Sequence, residues 1–128
     1  MLRQILAVGA GGFIGSVLRY AVARCTAGLA FANLPLGTLA VNLVGCFVLG
    51  LFTGLFERTP CASPEVRLLL TTGLCGGFTT FSTFSLETVM LLQNGRYGLG
   101  ALYIVLSLGC CLAGASAGLW LGGRVGQQ

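Results

Sequence analysis

Ten charged side chains are spread over 128 residues, and the uncharged runs between them decide what this chain can fold into. There are 15 residues between Arg3 and Arg19, 32 between Arg24 and Glu57, 19 between Arg67 and Glu87, and 27 between Arg96 and Arg124. A helix crossing a bilayer needs about 20 mostly apolar residues. The second and fourth runs are long enough outright, the third is just adequate, and the first becomes so if Arg19 sits in a wet cavity or along a neighbouring helix. Asn33 and Pro35 interrupt the 32-residue run, so it holds one span that begins near Leu36. The pattern predicts an all-α membrane protein with four transmembrane helices, near 4–27, 36–56, 66–93 and 98–122, in a single membrane domain over 1–128. An N-terminal secretory signal is the rival reading of the first run. Arg19 and Tyr20 stand where its uncharged end belongs, which argues against it.

Composition agrees. Only 8% of residues are charged and 55% are hydrophobic, against about a quarter charged in soluble domains. There is no His, Lys or Asp; the acids are Glu57, Glu65 and Glu87, and every base is Arg. That inventory removes histidine acid–base catalysis, lysine Schiff bases, nucleotide-binding P-loops and His-containing metal sites, and it predicts a protein that is not an enzyme. The net charge of +4 comes from scattered arginines, which is not a nucleic-acid signature.

Four helices put both termini on one face, with Arg3, Arg58, Arg67 and Arg124; the other face takes Arg19, Arg24 and Arg96. A four-to-three count gives the positive-inside rule almost nothing to act on. Either a single charge or the first helix settles the orientation, or the chain inserts both ways up and two copies pair antiparallel.

Small residues recur every four positions: Ala7, Gly11, Gly15; Cys46, Gly50, Gly54; Gly114, Gly118, Gly122. Such stripes let backbones approach closely in lipid. The six cysteines (25, 46, 61, 75, 110, 111) have no CxxC spacing and read as small hydrophobes.

The third span is unlike a lipid-facing helix. Gly76-Gly77 in mid-span, followed by Thr79-Thr80, predicts a helix interruption, which membrane depth tolerates only where it is buried in protein or lines a cavity. The freed carbonyls need partners: a desolvated monovalent cation is one, and a kink satisfied by hydroxyls is the other. Phe81 and Phe84 then share a helical face, flanked by Ser82, Thr83 and Ser85. Ring edges beside hydroxyl donors can solvate a small anion, although such a pair is more often packing. Thr38 and Asn42 lie four apart on the second span, and Tyr103, Ser107 and Cys111 recur every four on the last. Three polar stripes on three helices predict a narrow, neutral, donor-rich track.

Three segments, Gly11-Gly12-x-x-Gly15-x-x-x-Arg19-Tyr20, Gly37-Thr38-Leu39-x-Val41-Asn42-x-x-Gly45 and Gly73-x-Cys75-Gly76-Gly77-Phe78-Thr79-Thr80-Phe81-Ser82-Thr83-Phe84-Ser85-x-Glu87, resemble the Fluc (CrcB) family of fluoride ion channels. The resemblance covers the whole chain. It implies a dual-topology antiparallel homodimer in the inner membrane of a bacterial cell, multi-pass, with two fluoride pores that release cytoplasmic fluoride passively. It also implies a structural Na+ at the dimer interface, not transported, held by the backbone carbonyls of Gly76 and Thr79 from each subunit. By the same resemblance Phe81 and Phe84 are pore-facing rings, Asn42 is an amide donor, and Ser82 and Thr83 are hydroxyls near the pathway. Thr38, Tyr103 and Ser107 belong to the polar track, and Arg19 sits at a vestibule. Cys111 stands where a hydroxyl residue is often found. The partners so implied are fluoride, a second copy of the chain and the bilayer, with no nucleic acid and no nucleotide.

A small dual-topology proton-coupled exporter of the multidrug-resistance type is the alternative. It needs an embedded carboxylate, typically in the first helix, where this chain has none.

Overall fold

The protein is described by a computed structural model covering residues 1–27, 34–58 and 62–126. Its elements are α1 (Leu2–Thr26), α2 (Leu36–Arg58), α3 (Pro64–Leu68), a π-helical turn (Leu69–Cys75), α4 (Gly76–Phe78), α5 (Phe81–Gln93) and α6 (Tyr97–Val125). Three of these, α1, α2 and α6, are long and apolar enough to cross a membrane. The third expected span is a bent helix assembled from α3, the π turn, α4 and α5. Asn33 and Cys61 lie outside the described residues.

Local chemistry explains the boundaries. Pro35 precedes α2 and its carbonyl accepts the first helical bond, from the Leu39 amide at 3.2 Å. Ser63 caps α3 by accepting from the Val66 amide at 3.3 Å, with Pro64 at the first helical position. The turn between α5 and α6 is a Schellman closure, with Arg96 N donating to Leu91 O (2.9 Å) and Gly95 N to Leu92 O (3.0 Å). Gly95 carries the left-handed φ of +71° that this closure requires.

The bundle consists of two parallel helix pairs that run antiparallel to one another. In the first pair, Gly50 and Gly54 of α2 sit on the α6 backbone at Ala115–Leu119 and Leu119–Gly123, while Gly118 and Gly122 sit on α2 at Phe47–Leu51 and Leu51–Leu55. In the second, Gly11 and Gly15 of α1 lie on the backbone of the π turn and α4. A Cβ on Gly73 would fall 2.9 Å from Gly11 Cα, and one on Gly77 would fall 2.6 Å from Gly12 O. Both seams bring backbone onto backbone, as the four-residue stripes predict. The apolar core is small. Leu34, Phe84, Leu91 and Tyr103 pack where α5 meets α6, whereas Phe13, Val105, Leu112 and Trp120 point outward. Apolar side chains facing out around a closely packed interior suit a lipid environment.

Candidate functional site

The third span breaks within the expected stretch, at its threonines and not at its glycines. Gly76 is in ordinary right-handed helical conformation (φ −65°, ψ −36°), and a Cβ there would meet nothing nearer than 4.0 Å. The interruption falls instead on Thr79 (ψ 156°) and Thr80 (φ −149°, ψ 113°), both extended. The glycines at 73, within the π turn, and at 77, within α4, serve the α1 seam.

Asn42 holds the break open. Its Nδ2 donates to Thr80 O at 3.0 Å and its Oδ1 accepts from Thr80 N at 2.7 Å, so the side-chain amide pairs with a peptide unit as a second strand would. Thr80 Oγ1 in turn accepts from Thr83 N (3.2 Å), caps α5, donates to Thr83 Oγ1 (3.0 Å) and lies 3.2 Å from Ser82 Oγ. In an unbroken helix the Thr80 amide would close on Gly76 O and the Thr83 amide on Thr79 O. Both amides are taken elsewhere, so these two carbonyls have lost their helical donors. Cys75 O keeps Thr79 N, and Gly77 O receives Arg19 Nε from α1 at 3.1 Å. Arg19 thus places its guanidinium at the C-terminal end of α4, where a cation opposes the helix dipole. It also lines a small cavity of about 50 Å³ with Thr38, Thr80 and Thr83.

A hard monovalent cation suits the freed pair. Gly76 O and Thr79 O are neutral oxygens, the donor type that unwound membrane helices offer to Na+. Among the described residues no cluster of three metal-ligating side chains competes for such an ion.

A cavity of about 220 Å³ opens beside the break, lined by Asn42, Cys46, Thr79, Thr80, Phe81, Phe84, Ser107, Leu108 and Cys111. Ser107 is 5% exposed, and its hydroxyl has no hydrogen-bond partner. A buried hydroxyl without a partner in its own chain at a cavity wall calls for one from the cavity, a water or an ion. Phe84 is 8% exposed and Phe81 is 74% exposed. Their rings are 5.5 Å apart, and the Phe84 ring continues to Tyr103 at 5.2 Å.

Beyond Phe84 the polar residues of three helices meet on Glu87. Thr38 Oγ1 donates to its Oε1 at 2.8 Å and Tyr103 Oη to its Oε2 at 2.7 Å. A larger open recess lined by Glu87, Asn94 and Arg96 adjoins this cluster.

The structure therefore brings the three expected stripes together, but at two places. Asn42, Ser107 and Cys111 border the cavity with Phe81 and Phe84; Thr38 and Tyr103 are engaged by Glu87, so their hydroxyl hydrogens point at a carboxylate. Ser82 and Thr83 gather on Thr80. Sequence reasoning missed Thr80 as the hub, although a threonine opening a new helical segment is a capping signal. It also left Glu87 without partners. A lone carboxylate within a span demands donors, and Thr38 and Tyr103 were the polar candidates in reach.

Comparison with known proteins bears on this geometry. Residues 6–119 match the family model described as CrcB-like protein, Camphor Resistance (CrcB). The chain belongs to the CrcB family. Members of that family similar to it include the fluoride-specific ion channel FluC of Rhizobium leguminosarum bv. trifolii, 52% identical over 116 residues, covering 91% of this chain and 93% of that protein. FluC of Agrobacterium fabrum is 52% identical over 119 residues, covering 93% and 95%. FluC of Serratia proteamaculans is 56% identical over 97 residues, covering 76% of each. Family membership together with the three apolar helices makes this a multi-pass membrane protein.

Proposed function

We infer that the protein is a fluoride channel, a transporter rather than an enzyme. Its CrcB relatives bear that name, and the single structural observation that carries the reading is the buried, unpartnered Ser107 hydroxyl at the cavity beside the break. Fluoride is small and tightly hydrated, so a pore must replace its water with close donors while binding it weakly enough for release. Ser107 Oγ offers one donor. Asn42 keeps a second Nδ2 hydrogen after pairing with Thr80, and the ring edges of Phe84 and Phe81 add weak positive character. None of these carries a full charge. Arg19, held on Gly77 O, raises the local anion concentration without entering the cavity. Thr38 and Tyr103 act through Glu87: their two hydroxyls hold its carboxylate and offset the charge that would repel an anion.

The working unit in this reading is an antiparallel pair of chains. Phe81 stands exposed next to the half-buried Thr79 backbone, and the near-balanced arginines permit both orientations. A second copy would cover Phe81 and bring a second set of Gly76 and Thr79 carbonyls to the same place. Those four oxygens would hold a structural Na+, which supplies a fixed positive charge between the subunits. The proton-coupled exporter has no support: α1 carries no acid, and the relatives are named as channels.

Liposomes containing the purified protein and loaded with fluoride are expected to empty when a potassium ionophore balances charge, while chloride is retained. Equal chloride release, or none of either ion, overturns the reading. A reversal potential that follows the sodium gradient would make the protein a coupled transporter.

A further inference from the structure

The seam between α2 and α6 loosens toward the cavity. A Cβ on Gly118 would overlap the α2 backbone, with Leu51 N only 2.8 Å away, whereas one turn earlier, at Gly114, it would stand 3.4 Å from Leu43 O. Where the helices part, Cys46 of α2 and Cys111 of α6 line the same cavity. Both are half-buried free thiols, and the register that seats Gly50 on Ala115 sets Cys46 level with Cys111 one turn earlier. Two sulfurs on two helices, which the seam locks together one turn further on, border the same space. A site for a hard ion would need oxygens, and a tetrahedral zinc site would need more than two ligands. Two soft sulfurs suit a soft cation of the d10 class.

We propose that Cys46 and Cys111 are a two-coordinate binding site for a soft monovalent cation, Cu+ or Ag+, whose occupancy closes the cavity. One thiol loses its proton to water and the other keeps its own: Cys–SH + Cys′–SH + M+ gives Cys–S–M–S(H)–Cys′ + H+. The bound unit is neutral, which a low-dielectric interior favours over a charged bis-thiolate. The ion sits among Asn42, Phe84 and Ser107, so it occupies the space an anion would cross. That closure rests on the reading of this cavity as the fluoride route; the binding itself does not.

Silver nitrate in chloride-free buffer is the probe, applied to the full chain in a background of Cys25→Ser, Cys61→Ser, Cys75→Ala and Cys110→Ala. One Ag+ per chain is expected, with fluoride efflux reduced at least tenfold and restored by excess small-molecule thiol. Cys46→Ser or Cys111→Ser in that background is expected to weaken Ag+ binding at least tenfold. Binding unchanged in either single variant overturns the site, and Ag+ bound through both thiols with undiminished efflux overturns its place on the route. If the background does not fold, the comparison is made in the otherwise unaltered chain. There, Cys46→Ser with Cys111→Ser must lower Ag+ stoichiometry by one per chain, and an unchanged stoichiometry overturns the proposal. Absence of fluoride efflux before any silver is added defeats the channel reading alone, because Ag+ stoichiometry is measured independently.

Discussion

The two parallel helix pairs solve the same packing problem with different consequences. The α2–α6 pair is unbroken, and glycines on both helices let it close along most of its length. The α1 pair uses the same device, Gly11 and Gly15 against Gly73 and Gly77, but its partner passes through a π turn and then breaks at Thr79–Thr80. The difference lies in the donors nearby. Along α2 and α6 the backbone bonds are internal, so only size matters. At the break, Asn42, Arg19 and Thr80 Oγ1 provide polar groups to satisfy peptide units that leave the helix. A membrane interior tolerates irregular backbone only with such partners. One pair is thus a scaffold set by side-chain size, and the other a site set by hydrogen bonding.

The sharpest way to break the comparison is Gly118→Leu. It drives a side chain into Phe47–Leu51 backbone, which no rotamer can relieve. Overpacking costs about 1–3 kcal/mol even where side chains can yield. Here the helices must separate, and little folded protein is expected in a size-exclusion and thermal-unfolding assay. Gly98→Leu, where a Cβ meets nothing within 4 Å, is the control and should fold.

Next comes Asn42→Leu, which matches size but strands Thr80 N and O. Each stranded buried group costs roughly 1–3 kcal/mol, less whatever a water recovers. A fall in melting temperature and at least a tenfold loss of fluoride efflux are expected. Normal stability would show that the break holds itself.

Phe84→Ile tests function more than stability. It retains apolar bulk against Tyr103 but removes the ring edge, so fluoride efflux should drop several-fold while the unfolding temperature changes little. Unaltered efflux would remove Phe84 from the pathway.

The smallest effect belongs to Gly95→Ala, outside both seams. Forcing an alanine to φ +71° costs about 1 kcal/mol. The melting temperature should fall slightly with fluoride efflux preserved.

Spacing of charges in the sequence was enough to mark out three apolar helices and a bent fourth, because an uncharged run long enough to cross a bilayer has few other uses. The starts of α2 and α6 fall at Leu36 and Tyr97, within a residue of expectation. The four-residue glycine stripes announced close packing for the same reason: a residue without a side chain removes the only obstacle between two backbones. Sequence also marked the third span as irregular, and it grouped Asn42, Phe81, Phe84 and Ser107 with Thr38, Ser82, Thr83 and Tyr103 on a single track.

Only the tertiary structure decided which feature breaks the helix and which donor serves which acceptor. Gly76-Gly77 and Thr79-Thr80 together marked the interruption, yet glycine permits a break without requiring one. Thr79 and Thr80 leave the helix because Asn42, 38 positions earlier in the chain, competes for the Thr80 peptide. Thr38 and Tyr103 were grouped by spacing alone, and only the structure shows that both donate to Glu87. A hydrogen bond depends on distance and direction between atoms on different helices, and a one-dimensional pattern contains neither.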